Sequence, residues 1–364
     1  MKTIKIVTPF LSGFGGTEQV IHTLLRNVSK KDVSQEHFLF KLVLLGGTLD
    51  TNWTKETDTK IFGLKLPKAL RKVEYLFRLP YWCYTLLQES NDVLICTNPY
   101  IWTILWLFKT IQRKKVLIVA WYHFSLVQKP VNTLLLRSSD KYLAISSGIK
   151  RELIKRGVSQ KDIGLVFNPV NTTSPDSLID SPKKDFLDLV YIGRFDYSGQ
   201  KNVSEMFLAL SNVKTAYRLR IYGQGKDQEK LESLSKRLSI AGKISFKGFS
   251  TDVWSEIKHA DALLLSSKFE GLPLVLIESI AHGVPVISSN CPTGPEDIVQ
   301  ESKNGFLYGM GEIDQFAECI ANIRQIRANY TPKEIAATVS QFDTNRYVGR
   351  LMSVMGRWTD SNVE

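Results

Sequence analysis

Cysteine is scarce in this chain: four among 364 residues, at Cys83, Cys96, Cys291 and Cys319. They form no C-x-x-C and no paired spacing, which argues against a disulfide framework and leaves reduced thiols as the expectation. Long apolar runs are missing too. The most apolar stretch, residues 101–108, is far short of the roughly 20 residues that a membrane-spanning helix needs. The first residues, Met1-Lys2-Thr3-Ile4-Lys5-Ile6-Val7, carry charge inside their apolar run and read as a strand rather than a signal peptide. There is no low-complexity tract and no short-period repeat. Neither half holds a G-x-G-x-x-G, which disfavours a dinucleotide oxidoreductase. No Asp-x-Asp is present to carry a divalent cation.

What is present is enough chain for two ordinary domains, with 43% apolar and 23% charged residues. The charge is unevenly spread. Residues 1–170 hold 25 Lys and Arg against 12 Asp and Glu, whereas the remainder holds 22 against 24. A basic half beside a near-neutral one reads as a domain facing a polyanion or an anionic membrane, or as a solubility surface. Residues 64–79 mix cations and apolar side chains at roughly helical spacing, with Tyr81, Trp82 and Tyr84 following. Such a segment suits a membrane interface, and it equally suits a helix packed on its own sheet with a solvated basic face.

Short buried strands alternate with helical patterns along the whole chain, the mark of α/β architecture with parallel sheets. The first strand, residues 4–9, runs into Ser12-Gly13-Phe14-Gly15-Gly16 and then a helix. Glycines between a strand and a helix let N–H groups approach a phosphate, or simply make a tight turn. Residues 46–62 read as loop. The strand at 116–121 ends in Tyr122-His123-Phe124-Ser125, which places His123 at the edge where open α/β sheets bind ligands. By residue type alone, His123 reads more readily as a core-packing or surface residue. Residues 171–185, rich in Ser, Thr, Pro and Asp, have the composition of a linker.

A second α/β unit begins at residue 187. Its first strand leads to Gly193-Arg194-Phe195 and then Lys201, two cations on one strand-to-helix loop. Gly223-Gln224-Gly225 follows the next strand, and Phe249 closes another. Residues 269–278 read Phe-Glu-Gly-Leu-Pro-Leu-Val-Leu-Ile-Glu. Gly271 and Pro273 suit a loop that presents backbone N–H groups, and a helix starts after Pro273. Glu270 then lies on the loop and Glu278 one to two turns into the helix. Taken alone, these two acids read equally as a solvated loop carboxylate and an ordinary helix carboxylate.

Together these blocks resemble the family four retaining glycosyltransferases, whose signature is Glu-x7-Glu. The resemblance spans nearly the whole chain and implies the GT-B fold, two Rossmann-like domains facing across a cleft. The domains would be 1–170, expected to bind the acceptor, and 186–343, expected to bind the nucleotide sugar, with 171–185 as linker and 344–364 as a helix crossing back. It implies that Gly15 and Gly16 approach the donor phosphates and sugar, and that His123 lies at sugar and acceptor. Arg194 and Lys201 would hold the diphosphate. Gly223, Gly225 and Phe249 would lie beside the nucleotide. Glu270 with Gly271, Leu272, Pro273 and Leu274 would bind the sugar, and Glu278 the ribose. The catalytic candidates are Glu270, Arg194, Lys201 and His123. No metal and no cofactor are expected, since a UDP-sugar is a substrate. Short blocks, among them Asn168-Pro169-Val170 and Gly199-Gln200-Lys201, resemble bacterial lipopolysaccharide 1,6-galactosyltransferases.

The expected reaction is transfer of galactose or glucose from UDP-hexose, with retention, to a hydroxyl of a cell-surface glycan or glycolipid. The expected location is the cytoplasm, or the inner face of the plasma membrane as a peripheral protein. No nucleic acid is expected as a partner. The competing readings are a UDP-sugar epimerase of the same fold and a non-catalytic glycan- or membrane-binding subunit.

Overall fold

The computed structural model describes residues 1–13, 15–30, 38–89, 91–171, 178–181 and 185–360. They form two compact units, Met1–Pro169 with Thr344–Glu364, and Val170–Asp343.

The first unit is built on seven parallel strands among the described residues. In chain order these are β1 (Lys2–Thr8), β2 (Phe38–Gly46), β3 (Thr59–Gly63), β4 (Val93–Cys96), β5 (Leu117–Ala120), β6 (Lys141–Ala144) and β7 (Ile163–Leu165). They lie in the order β3-β2-β1-β4-β5-β6-β7. The central strands are buried along nearly their whole length, as in residues 42–45, 93–96 and 117–120. A parallel strand covered on both faces must be apolar throughout, so its sequence shows a run rather than an alternation. Each buried Leu, Ile or Val contributes about 1.5–3 kcal/mol. Strand order reverses between β1 and β4. Right-handed crossovers therefore put helix Gly16–Lys30 on one face and helices Arg71–Gln88 and Pro99–Ile111 on the other. The latter two pack on each other, and helix Gly16–Lys30 packs on helix Thr344–Asp360.

The second unit holds six parallel strands: β8 (Leu187–Ile192), β9 (Tyr217–Tyr222), β10 (Ile244–Gly248), β11 (Ala262–Leu265), β12 (Val286–Ser289) and β13 (Gly305–Tyr308). Their order is β10-β9-β8-β11-β12-β13, reversing between β8 and β11. Loops that leave the carboxyl ends of strands on either side of a reversal diverge to opposite faces and open a crevice.

Two features differ from the sequence reading. Residues 46–62 are not all loop: β3 pairs in parallel with β2 over Thr59–Gly63. It is a short, largely exposed edge strand, and edge strands keep polar residues such as Lys60 that hide the apolar signal. The basic segment becomes helical only at Arg71, because Pro67 and the exposed residues around it form a turn first. Of the stretch 171–185, residues 172–177 and 182–184 lie outside the described residues. Within it, Ile179 is buried and its N–H donates to the His282 carbonyl at 2.8 Å.

The loops after β8 and β9 touch backbone to backbone. Gly223 has φ +135°, and a Cβ there would stand 1.9 Å from the Gly193 carbonyl oxygen; at Gly225 it would stand 2.1 Å from that of Phe195. Gly223→Ala is therefore expected to destabilise by about 3 kcal/mol or more, through strain and overlap. Gly349 is exposed inside helix Thr344–Asp360, and a Cβ there meets nothing within 4 Å. Gly349→Ala should instead stabilise by about 0.5–1 kcal/mol. Urea denaturation midpoints check both.

Candidate active site

The crevice between β8 and β11 brings two loops side by side. The first, residues 193–202, is organised by Asp196, whose carboxylate accepts from the N–H groups of Gly199 (2.8 Å) and Lys201 (3.2 Å). A Cβ on Gly199 would sit 2.4 Å from that carboxylate, so the turn requires glycine. Asn202 ends the loop in the left-handed region with φ +47°, which Asn tolerates better than most residues. The second loop follows β11. Its Ser266 hydroxyl donates to the carbonyls of Lys201 (3.2 Å) and Asn202 (3.0 Å). The Lys268 N–H donates to the Gln200 carbonyl at 2.8 Å, and Gln200 Nε2 to the Phe269 carbonyl at 3.2 Å. The seam is thus closed by backbone and short polar groups.

Across the seam, Lys201 Nζ lies 2.7 Å from Glu270 Oε1, and both side chains are largely buried. A buried ion pair resists removal of one member far more than its net contribution suggests, because the remaining charge loses its partner. Tyr191 donates its hydroxyl to the Arg194 carbonyl at 2.9 Å. Burial, with the Glu270 charge adding, pushes that phenol up and keeps it a donor. The Arg194 side chain is exposed and reaches Gln200 Oε1 at 3.2 Å. Arg194, Lys201 and Glu270 therefore share one loop seam, with a surplus of one positive charge.

Residues 271–273 lead into helix Leu274–Ala281, with Pro273 as its cap residue. A helix start exposes N–H donors and a partial positive charge. The loop is held from behind by Thr293, whose hydroxyl donates to the Glu270 carbonyl, and by Gly294 at φ +97°. A Cβ on Gly294 would lie 2.6 Å from Pro273 Cδ and 3.0 Å from Leu272 Cα. Glu278 takes the indole N–H of Trp254 at 3.3 Å, and that indole stacks on His282 at 4.8 Å between ring centroids. The close approach made by Gly223 and Gly225 is to the backbone of Gly193 and Phe195 rather than to open space. Phe249, just past β10, is 55% exposed.

In the first unit, the Gly-rich turn is engaged from inside. Glu18 is buried in the first turn of its helix, and its Oε1 accepts from Ser12 N (3.0 Å), Ser12 Oγ (2.9 Å) and Gly13 N (3.2 Å). A Cβ on Gly15 would stand 2.5 Å from Glu18 Oε2, so glycine is needed there for the carboxylate to fit. Gly16 opens the helix. His123 follows β5, and its ring lies 4.6 Å from that of Trp121. Its Nε2 is buried and has no hydrogen-bond partner among the described residues. The loop beyond it is fastened by Glu152, which accepts from Ser125 Oγ (2.8 Å) and Leu126 N (2.6 Å). Among the described residues, no group of three or more His, Cys, Asp or Glu side chains is arranged to hold a metal ion.

Several residues of the site carried no assigned role in the sequence: Asp196, Gln200, Asn202, Trp254, Thr293 and Gly294. The Thr-Gly-Pro following a buried strand was a signal for two of them, since such a turn at a strand's carboxyl end borders the crevice. Trp254 left no signal, because its contact with Glu278 spans 24 positions.

Burial pushes the His123 imidazole down to about 3, so it is neutral in the folded protein at neutral pH. In the unfolded chain it protonates near its ordinary 6.5. Between these values the unfolded state binds the extra proton, so stability is full above about pH 6.5 and falls as pH drops toward about 3. His123→Gln should flatten that slope, read as Tm against pH.

A family model described as Glycosyl transferases group 1 matches residues 176–352. The chain is 32% identical over 364 residues to the lipopolysaccharide 1,6-galactosyltransferase of Escherichia coli (strain K12), covering 97% of each chain. It is 32% identical over 352 residues to the enzyme of that name from Salmonella typhimurium, covering 93% of this chain and 94% of the other. Among solved structures, the apo form of the lipopolysaccharide outer core galactosyltransferase WaaB superposes with a TM-score of 0.84 at 29% identity, covering 98% and 99% of the two chains. Anabaena Alr3699/HepE in complex with UDP shares the fold, with a TM-score of 0.76 at 17% identity and coverage of 97% and 100%.

Proposed function

The chain belongs to the group 1 glycosyl transferases and has the GT-B fold, and on that premise we propose that it builds a bacterial surface glycan. It is a glycosyltransferase; in our reading its donor is a UDP-hexose, galactose or glucose, and transfer retains the anomeric configuration. The acceptor is a sugar hydroxyl on a glycan or glycolipid of the cell envelope, as the names of the two galactosyltransferase relatives suggest. The basic first unit is read as facing an anionic membrane surface, and among the described residues no helix is long and apolar enough to cross one.

The observation that carries this reading is the Lys201–Glu270 pair at the β8/β11 crevice, with Arg194 on the same loop. Bond cleavage at the anomeric carbon leaves negative charge on the departing diphosphate. Fixed cations at that oxygen stabilise the transition state more than the ground state. Lys201 has three N–H donors. One is used by Glu270, which fixes the ammonium in place, and the others remain for phosphate. Glu270 in turn would accept from sugar hydroxyls, and the start of helix Leu274–Ala281 a few residues on offers N–H groups. Glu278 would take the ribose hydroxyls. His123, neutral at neutral pH, is given the place at sugar and acceptor that the family resemblance implies. In a front-face route the C1–O bond to the diphosphate breaks and its electron pair stays on the phosphate oxygen. That oxygen takes the acceptor's hydroxyl proton, and the acceptor oxygen bonds to C1 on the same face. On this reading the reaction needs no metal, because the two cations would take the part that one plays.

UDP release from a UDP-hexose with a soluble, delipidated glycan acceptor tests the reading. The wild-type chain should turn over equally with and without a chelator. Arg194→Ala should lower turnover by about two orders of magnitude or more with the fold intact. Near-normal turnover in that variant would remove the diphosphate role.

A further inference from the structure

A parallel sheet covered on both faces is apolar along its strands. One part of the first sheet departs from this. Parallel partners project to the same face, and the register pairs Lys5 of β1 with Lys41 of β2. Val43, two residues on, is paired with Lys60 of β3. Three lysines on three adjacent strands therefore share one face. Neighbouring strands lie about 4.8 Å apart, so such stems stand side by side and their charges repel. Lys5 is only 6% exposed, and Lys is almost never so buried unless it is paired.

A cavity of about 370 Å³ lies over these lysines, and Asp58 and Glu89 also line it. Thr3 and Leu39 in its lining put it toward the amino ends of β1 and β2. The Ser12–Gly13 turn and His123 follow the carboxyl ends of their strands, so the cavity is at the other end of the sheet. Helix Arg71–Gln88 covers the same face farther along, where Trp82 meets Phe62 of β3 at 5.9 Å between ring centroids. The helix stops just before Glu89.

Glu89 gives one carboxylate to two lysines, pairing with both Lys5 and Lys60. Burial would raise its pKa, but the hydrogen bonds and charges of these two lysines hold it below the usual carboxylate range. Lys41 pairs with Asp58 at 2.9 Å, and the Asp58 side chain is more exposed than buried, so water screens that pair. Among the described residues the lining carries three cations against two acids. Each ammonium has three N–H donors and spends one on these acids. The carbonyl end of the helix would oppose an anion. It is covered: Lys114 donates to the Leu87 carbonyl, and Asn91 Nδ2 donates to those of Leu86 and Glu89. Glu74, the one acid within the helix, lies near its other end. There it is buried, accepts from the N–H groups of Lys65 (2.9 Å) and Leu66 (2.8 Å), and pairs with Arg78 at 3.0 Å.

We propose that this cavity is a second anion site, apart from the candidate active site, and that it takes a phosphate-class dianion between Lys5, Lys41 and Lys60. The dianion meets the surplus cation and offsets the repulsion along the row of lysines. Ammonium groups suit it because each is a compact charge with donors that rotate to reach phosphate oxygens. The proposal does not depend on the donor or acceptor named above.

The test is thermal unfolding of the full chain in rising inorganic phosphate, against sodium chloride at equal ionic strength. The wild type should show a saturable rise in Tm of about 2 °C or more that chloride does not give. Lys41→Gln/Lys60→Gln should weaken phosphate binding about tenfold or more, because two charge-assisted hydrogen bonds are lost. Lys41→Arg/Lys60→Arg, which keeps the charge, should retain the response. Arg194→Ala should retain it as well, which separates this cavity from the candidate active site. Absence of a saturable response in the wild type would overturn the proposal and leave the lysines to an internal ion-pair network. A response that survives in Lys41→Gln/Lys60→Gln, or that Arg194→Ala abolishes, would put the anion elsewhere and overturn it too.

Discussion

The second unit depends on the seam where the loops after β8 and β11 run side by side. Strand order reverses there, so the two following helices leave to opposite faces and cannot close the gap between them. The chain closes it with short polar groups instead. Ser266 binds two carbonyls across the seam, and Gln200 binds another. Lys201 and Glu270 place opposite charges in contact in a largely buried position. Each of these interactions would be modest alone. Together they hold an ammonium and a carboxylate on backbone that has little room to move, with the exposed Arg194 guanidinium on the same loop.

Glycine at this seam is a steric requirement more than a source of flexibility. Gly223 and Gly225 let the β9 loop lie against the carbonyls of Gly193 and Phe195. Gly294 does the same behind the residue 271–273 turn. The loops on either side of the seam are therefore shaped by backbone contacts from their neighbours. In the first unit the same logic runs through an acid. Glu18 folds the Ser12–Gly13 turn around its own carboxylate and takes N–H groups that an outside anion would otherwise find.

The two units differ in the surface they show. The first carries the positive charge of the chain and leaves apolar side chains in water along one helix. An acid in that helix is spent internally, holding the preceding turn, so it does not dilute the field outside.

By itself the sequence determined the strand order of events: which segments are buried strands, which are helices, and that two α/β units follow one another. Fully buried parallel strands announce themselves as apolar runs. Arg194, Lys201, Glu270 and Glu278 stood out through the resemblance to a known family, since taken alone the two acids read equally as ordinary carboxylates. The edge strand β3 escaped it, since an exposed strand need not be apolar. Only the tertiary structure decided the partners. Lys201 meets Glu270 across 69 positions, and Trp254 meets Glu278 across 24. Glu74 and Glu18 turned out to serve their own backbone. Local pattern records which residues favour a strand, a turn or a charge; which of them touch is set by how the sheet reverses, and no spacing in the chain encodes that distance.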